Sequence, residues 1–426
     1  MMSERLSREN KGYILCKCFT RVIDLFASTF LVAYFLKLTS GNIFQISMYY
    51  ALLYVAQTIS YFLVSMLLPK VDKLIFYRLS IVLQCIFLMM IALLKEDIVN
   101  YIIPISLFYG LSGGMYWSSF NLLVNQGVSS KNMQKFYGIY HMCANITNII
   151  APIILGYIID VDSFVQTSIY AFVIGLILLG CTFLIVSRKE KHNSLDLKGY
   201  FKIVKESEYK RDFIMVNMIS LSNGLRHTMA TVVTILTIMS FGTNLSLGSI
   251  TSITAVVSIL ATYLVMKKYS YKKRNIILGC LFLIIFSVIL LLFNINKFTV
   301  ILINVVYTLA TIPMNNLFCQ RRMGTIRITK HLDYSLEYNL VAEGLLNAAR
   351  ALAYFVLMLA SFSNSVNVYR VLLIINLVCI SFYTLTIYFY EIRYQKILYK
   401  NDTLEHLKDI ELDIKNATYY RDMISE

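Results

Sequence analysis

The stretch RKEKHNSLDLKGYFKIVKESEYKR, residues 188–211, interrupts an otherwise apolar chain and decides how the chain is read. On either side of it, apolar runs of about twenty residues recur from Tyr13 to Tyr390, and a helix of that length crosses a hydrocarbon layer of about 30 Å. Six runs precede it, at 13–36, 43–68, 75–94, 99–124, 136–160 and 164–187, and six follow, at 212–240, 246–266, 275–294, 298–320, 339–362 and 366–390. The expectation is an all-α membrane protein of twelve spans. It has one six-helix bundle over 1–187, a linker over 188–211 whose charge and weak apolar period suggest a surface helix or a tether, a second six-helix bundle over 212–390 and a charged tail over 391–426. With 58% hydrophobic and 15% charged residues among 426, a water-soluble enzyme is excluded.

Net charge of +15 would suggest nucleic acid in a soluble protein, but here the charge is sorted by loop. Thirty-one of the 39 Lys and Arg residues fall on the side that carries both termini, against Lys37, Lys95 and Lys297 on the other. Lys17, Arg21, Arg226, Arg350 and Arg370 lie within spans or at their edges. Positively charged loops stay inside, so the expected location is the cell membrane, multi-pass, with both termini cytoplasmic and no nucleic-acid partner. The first run is long and has no small-residue cleavage site, so it reads as an uncleaved span. The eight cysteines fall in or at the ends of apolar runs without zinc spacing, and no metal or other cofactor is expected. A phosphate loop, HExxH and Gly-x-Ser-x-Gly are all absent from the sequence. That argues against an enzyme and against ATP as the driving force, and leaves an ion gradient.

The two halves echo each other. His141, Asn145 and Asn148 in span 5 share the i, i+4, i+7 spacing of Glu343, Asn347 and Arg350 in span 11, 202 residues later, and each set forms one polar stripe. Asn121 and Gln126 in span 4 match Asn315 and Gln320 in span 10, and Arg21 and Asp24 in span 1 fall opposite Asn223 and Arg226 in span 7. Such duplication is a mark of transporters. Twelve spans as six and six, a basic central loop and this repeat resemble the major facilitator superfamily over nearly the whole chain. Its loop signature between spans 2 and 3 is represented by Asp72, Lys73 and Arg78, with Leu68 where the family has glycine. In span 5, Gly138, Pro152 and Gly156 resemble the glycine–proline motif of drug–proton antiporters, while Thr147, Ala151 and Leu155 replace its other glycines. The resemblance implies gating roles for Asp72, Lys73, Arg78, Gly138, Pro152 and Gly156. The stretch GLSGGMYWSSFNLL, 110–123, is similar to a Gram-positive branch of the family, and the arginine typical of span 4 in proton-coupled members is absent.

A charge at the centre of a lipid-facing helix costs about 2.5–3.5 kcal/mol, so intramembrane charges face protein or a water-filled cavity. Six ionisable groups lie well inside spans: Arg21, Asp24, Arg226, His227, Glu343 and Arg350. Arg21 and Asp24 can bind solute or simply pair at i, i+3; Arg226, His227, Glu343 and Arg350 can serve the site or hold helices together. Trp117, the only tryptophan, can stack on a solute or fill a helix contact. Asn121, Asn145, Asn148, Asn315 and Asn316 can bind solute or join helices. The candidate substrate-binding set is therefore Arg21, Trp117, Asn121, Asn145, Asn223, Arg226, Asn315, Asn316 and Arg350, with Asp24 and Glu343 as candidate proton carriers. The functional expectation is a monomeric secondary active transporter of a small solute, coupled to protons and surrounded by lipid. The antiporter-like residues of span 5 favour efflux of an amphipathic compound, and the cationic excess of the buried groups favours uptake or exchange of an anionic metabolite. A transport-inactive sensor or accessory protein and a lipid flippase are the readings from other classes.

Overall fold

In hydrocarbon no water satisfies backbone N–H and C=O groups, so each crossing must close its own hydrogen bonds, as a helix does. The computed structural model describes residues 8–127, 133–186, 195–267, 273–328, 334–361 and 366–400. Span 1 is α1 (Arg8–Leu25) and α2 (Leu31–Leu38), joined by a π-helical turn at Phe26–Phe30. Spans 2 to 6 are α3 (Ile43–Leu67), α4 (Lys73–Leu94), α5 (Ile102–Gly127), α6 (Met133–Val161) and α7 (Phe164–Cys181). After the linker helix α8 (Leu197–Glu206), span 7 is α9 (Lys210–Leu225) and α10 (Thr228–Phe241). Spans 8 to 12 are α11 (Asn244–Lys267), α12 (Lys273–Phe293), α13 (Lys297–Ile328), α14 (Ser335–Ala360) and α15 (Val366–Lys400).

Ten stretches among the described residues are long and apolar enough to cross a membrane. One of them, Lys73–Val124, contains two helices, α4 and α5, and the shorter apolar stretch Lys297–Thr311 begins α13, so the twelve expected spans are present. Phe282, Phe293 and Leu359 are among the many large apolar side chains left more than half exposed on the outer surface, as lipid contact requires. Span 10 runs further than its hydropathy suggests: α13 continues to Ile328, and its last two turns carry Arg322.

Each bundle packs within itself, and the two meet along two helix pairs, α3 against α14 and α6 against α11. These are spans 2 with 11 and 5 with 8, which are exchanged by the same twofold relation as the sequence repeat. Within the first bundle, α5 lies so close to α3 that a Cβ on Gly110 would sit 2.3 Å from the Leu53 carbonyl oxygen, and one on Gly114 2.6 Å from that of Gln57. Without a hydrophobic driving force between helices in lipid, such small-residue faces are what allows backbones to approach. This is the structural content of the GLSGGMYW stretch.

The linker helix α8 docks on the second bundle. Asp196 accepts from the Gly199 N–H at its N-terminus and donates its own N–H to Glu337 Oε1 of α14 at 2.9 Å. Tyr200 is buried against Phe213 and Tyr334, where burial and the Glu337 carboxylate push its hydroxyl up to about 12.

Gly114→Ala places a methyl against backbone and should lower the stability of the detergent-purified protein by about 1–3 kcal/mol, the usual cost of overpacking. Gly180→Ala, where a Cβ meets nothing within 4 Å, is the matched control and should leave the thermal midpoint unchanged.

Candidate functional site

The first span of each bundle is interrupted near its middle, span 1 by the π-helical turn and span 7 at Arg226–His227, where α9 ends and α10 begins. Beside these breaks, bounded also by α3, α5 and α14, lies a cavity of about 510 Å³. That volume is in the range of small-molecule sites, about 300–1,000 Å³. Arg21, Asp24, Tyr54, Gln57, Tyr109 and Trp117 face it from the first bundle, and His227, Thr231 and Arg350 from the second.

Arg21 donates from Nε to Asn148 Oδ1 on α6 at 2.6 Å and makes no ion pair with Asp24, one turn further along its own helix. Asp24 instead accepts from the Tyr109 hydroxyl at 3.2 Å. Arg350 donates to Asn347 Oδ1 at 3.0 Å, and its guanidinium lies 5.2 Å from the centre of the Tyr54 ring. His227 sits between two phenols, Nε2 3.4 Å from the Tyr54 hydroxyl and Nδ1 3.3 Å from that of Tyr354. Tyr354 in turn stacks on Tyr50 at 4.8 Å, so Tyr50 and Tyr54 of the first bundle and Tyr354 of the second form an aromatic contact between bundles. Lys17, one turn before Arg21, places its ammonium 4.9 Å from the Trp117 ring, a favourable cation–π distance.

The other candidate residues lie elsewhere. Arg226 is buried within the second bundle, donating to the Tyr307 hydroxyl at 3.1 Å and Asn315 Oδ1 at 2.5 Å, with the Tyr383 ring 4.4 Å away. Asn315 thus holds Arg226 and also accepts from Tyr383. Asp24 with Tyr109 and Arg226 with Tyr307 are counterparts in the two bundles, an ionisable group from the first helix held by a tyrosine from the fourth, with the charge inverted. Glu343 pairs with Arg322 of α13 at 2.7 Å and does not line the cavity. Asn145 and Asn223 are half-buried on α6 and α9, outside the cavity lining. The surroundings of Gly138 and the side chains of Asn121 and Asn316 lie outside the described residues.

Of the residues given gating roles by resemblance, Asp72 caps α4 through the Leu74 N–H, and Lys73 is buried. Arg78 reaches Thr182 and the Phe183 ring across spans 3 and 6. Pro152 and Gly156 lie in the contact between bundles: a Cβ on Gly156 would come 2.4 Å from the Asn244 carbonyl oxygen, and one on Gly248 2.2 Å from that of Pro152. At the end of this contact, Asp160 accepts from the backbone N–H groups of Asn244 and Leu245 and from the Asn244 amide, capping α11 with a carboxylate from the opposite bundle. On the same face α2 packs on α10.

Of the residues expected from the sequence, Arg21, Asp24, Trp117 and Arg350 line the cavity, while Lys17, span 2 and the reach of Arg322 are not among those expectations. Tyr50, Tyr54 and Gln57 at i, i+4, i+7 form a polar stripe as readable as the one in span 5. Nothing local announces that Glu343 meets Arg322, since the pair forms between neighbouring helices.

Because the partners of Arg226 all lie inside its own bundle, Arg226→Ala should cost about 1–3 kcal/mol of stability by leaving Asn315 and two phenols without their cation. Solute affinity of the protein that remains folded should be unchanged, as measured by thermal unfolding and by binding on the size-exclusion monodisperse fraction.

The model of the Major Facilitator Superfamily matches residues 15–327 of the 426. Among solved structures, the nucleoside transporter NupG aligns at a TM-score of 0.64 and 13% identity, covering 91% of this chain and 98% of that one. A POT family transporter in complex with 5-aminolevulinic acid aligns at 0.67 and 14%, covering 88% and 95%. At this identity the likeness is one of fold. Two curated relatives are the uncharacterized protein YqgE of Bacillus subtilis (strain 168), 24% identical over 134 residues, and an uncharacterized protein in the sodM 3' region of Geobacillus stearothermophilus, 23% identical over 134 residues. Each match takes in 32% of this chain, and the chain spans 31% of the first relative's length and 62% of the second's. With the family model matching well over half of the chain, the chain belongs to the Major Facilitator Superfamily and is a multi-pass membrane protein.

Proposed function

We propose that the protein is a secondary active transporter that moves a small solute through the cavity by alternating access and draws on a proton gradient. The observation that carries this reading is the cavity itself, lined from both bundles at the level where spans 1 and 7 are broken. Rocking of one bundle against the other opens such a site to each side in turn. The arrangement described is closed on the face where Asp160 caps α11 and α2 meets α10. If the basic face is cytoplasmic, as the loop charges suggest, the closed face is the outer one. Impermeant labelling of single cysteines in intact cells should then modify positions 95 and 297 and spare position 198; modification at 198 reverses the orientation.

Asp24 is the better candidate for the proton. It lines the cavity and is held by a neutral hydroxyl, so solute or helix motion can change its environment between the two states. Glu343 is committed to a cation at 2.7 Å and lies away from the cavity, so taking a proton would first require that pair to break. In proteoliposomes, Asp24→Asn should keep gradient-free exchange of solute and lose pH-driven accumulation, while Glu343→Gln keeps both to the extent that it folds. Undiminished pH-driven accumulation by Asp24→Asn would remove Asp24 from the coupling step.

A further inference from the structure

Charge in the cavity is out of balance. Arg21 and Arg350 each commit one nitrogen to an asparagine, Asn148 and Asn347 respectively, and among the described residues their other guanidinium nitrogens have neither a carboxylate nor any other hydrogen-bond acceptor. Lys17 adds a third cation beside the cavity wall, resting on Trp117. Against these stands one carboxylate at the cavity, Asp24, which is turned to Tyr109 and pairs with neither arginine. Elsewhere in the spans Arg322 is given the carboxylate of Glu343, and Arg226, with no carboxylate, uses both terminal nitrogens on Asn315 and Tyr307. At the cavity Arg21 donates only through Nε and Arg350 only through Nη1, which leaves terminal N–H donors on each, and such donors match a carboxylate or phosphate.

The walls between the two arginines are aromatic. Tyr54, Tyr109, Tyr116 and Trp117 all face the cavity. Trp117 lines the cavity and is 37% exposed although it sits well inside α5, with the Lys17 ammonium and the Tyr116 ring against it. Flat, polarisable surface of this kind favours a planar ring over an alkyl chain of the same size.

We propose that the cavity binds an organic anion built on an aromatic ring, its carboxylate or phosphate held by Arg21 and Arg350 and its ring against Trp117 and the tyrosines. This specifies the solute of the transport reading above and rests on it. Because Arg21 belongs to span 1 and Arg350 to span 11, one such anion touches both bundles at once, and its arrival draws them together across the site.

Trp117 is the only tryptophan in the chain and therefore reports directly on the cavity. Purified protein is titrated with 4-nitrobenzoate, 4-nitrophenyl phosphate, the uncharged 4-nitrobenzamide and the cationic 4-nitrobenzylamine, with free N-acetyltryptophanamide correcting for absorbance, and with hexanoate as an aliphatic competitor. Saturable quenching by at least one of the two anions is expected, about tenfold or more tighter than by the amide or the amine, with hexanoate competing at least about tenfold less well than benzoate. Arg21→Gln and Arg350→Gln should each weaken the anion by about tenfold and leave the amide where it was. The comparison of anion with isosteric amide needs no variant, so it stands even if a substituted protein fails to fold. Equal affinity for anion and amide, preference for the amine, hexanoate matching benzoate, no saturation by either anion, or undiminished anion binding in both folded variants overturns the proposal. Counterflow in proteoliposomes separates this from the broader reading. Anion binding without counterflow of the bound anion contradicts transport and leaves the ligand class standing, and counterflow of a neutral or cationic solute by protein that binds neither anion does the reverse.

Discussion

Inside a hydrocarbon layer nothing but the protein itself, or water it admits, can satisfy an amide or a charge, and the rest of this structure follows from that constraint. It makes every crossing a helix and turns the apolar residues outward, so that Phe282 and Phe293 are exposed in a way a soluble protein would not tolerate. It also sorts the intramembrane charges into two groups. Arg226 and the Arg322–Glu343 pair find their partners within the second bundle and join its helices. Arg21, Asp24, His227 and Arg350 face a shared cavity, where hydrogen bonds to neighbouring amides and phenols satisfy them only in part.

The two bundles touch by different means on their two lines of contact. Between spans 2 and 11 the contact includes large rings, Tyr50 and Tyr54 on Tyr354, with His227 bridging the phenols. Between spans 5 and 8 it is made by the absence of side chains, Gly156 and Gly248 each admitting a backbone carbonyl, and it ends in the Asp160 carboxylate on the α11 N-terminus. A glycine contact lets helices slide with little steric resistance, whereas a carboxylate on helix N–H groups is directional and breaks within a small displacement. The first suits the pivot of a rocking motion and the second suits its latch.

Much of this is readable from the residues. The interruption at 188–211 and the length of the apolar runs give twelve spans in two bundles, because span length is imposed by the membrane and not by tertiary context. Arg21, Asp24, Trp117 and Arg350 can be selected because polar side chains in such helices are few. What cannot be read is direction around the helix axis between partners. Arg226 and His227 are adjacent, yet one turns into its own bundle and the other to the cavity, since the helix breaks at this pair and the neighbouring helices decide which way each points. The Glu343–Arg322 pair depends on α13 extending through a polar segment that hydropathy assigns to a loop.

Rocking of the two bundles about the cavity changes the distances between them, which pulsed electron resonance measures. One pair of spin labels is placed on the basic face, at Lys70 in the first bundle and Lys198 on the docked α8, and a second on the opposite face, at Asp97 and Asn294, all exposed positions. In proteoliposomes titrated from neutral to acidic pH, with and without 4-nitrobenzoate, the account predicts two populations whose distances change in opposite senses, the basic-face pair shortening as the opposite pair lengthens. Distances that stay fixed on both faces, or lengthen and shorten together, would contradict it.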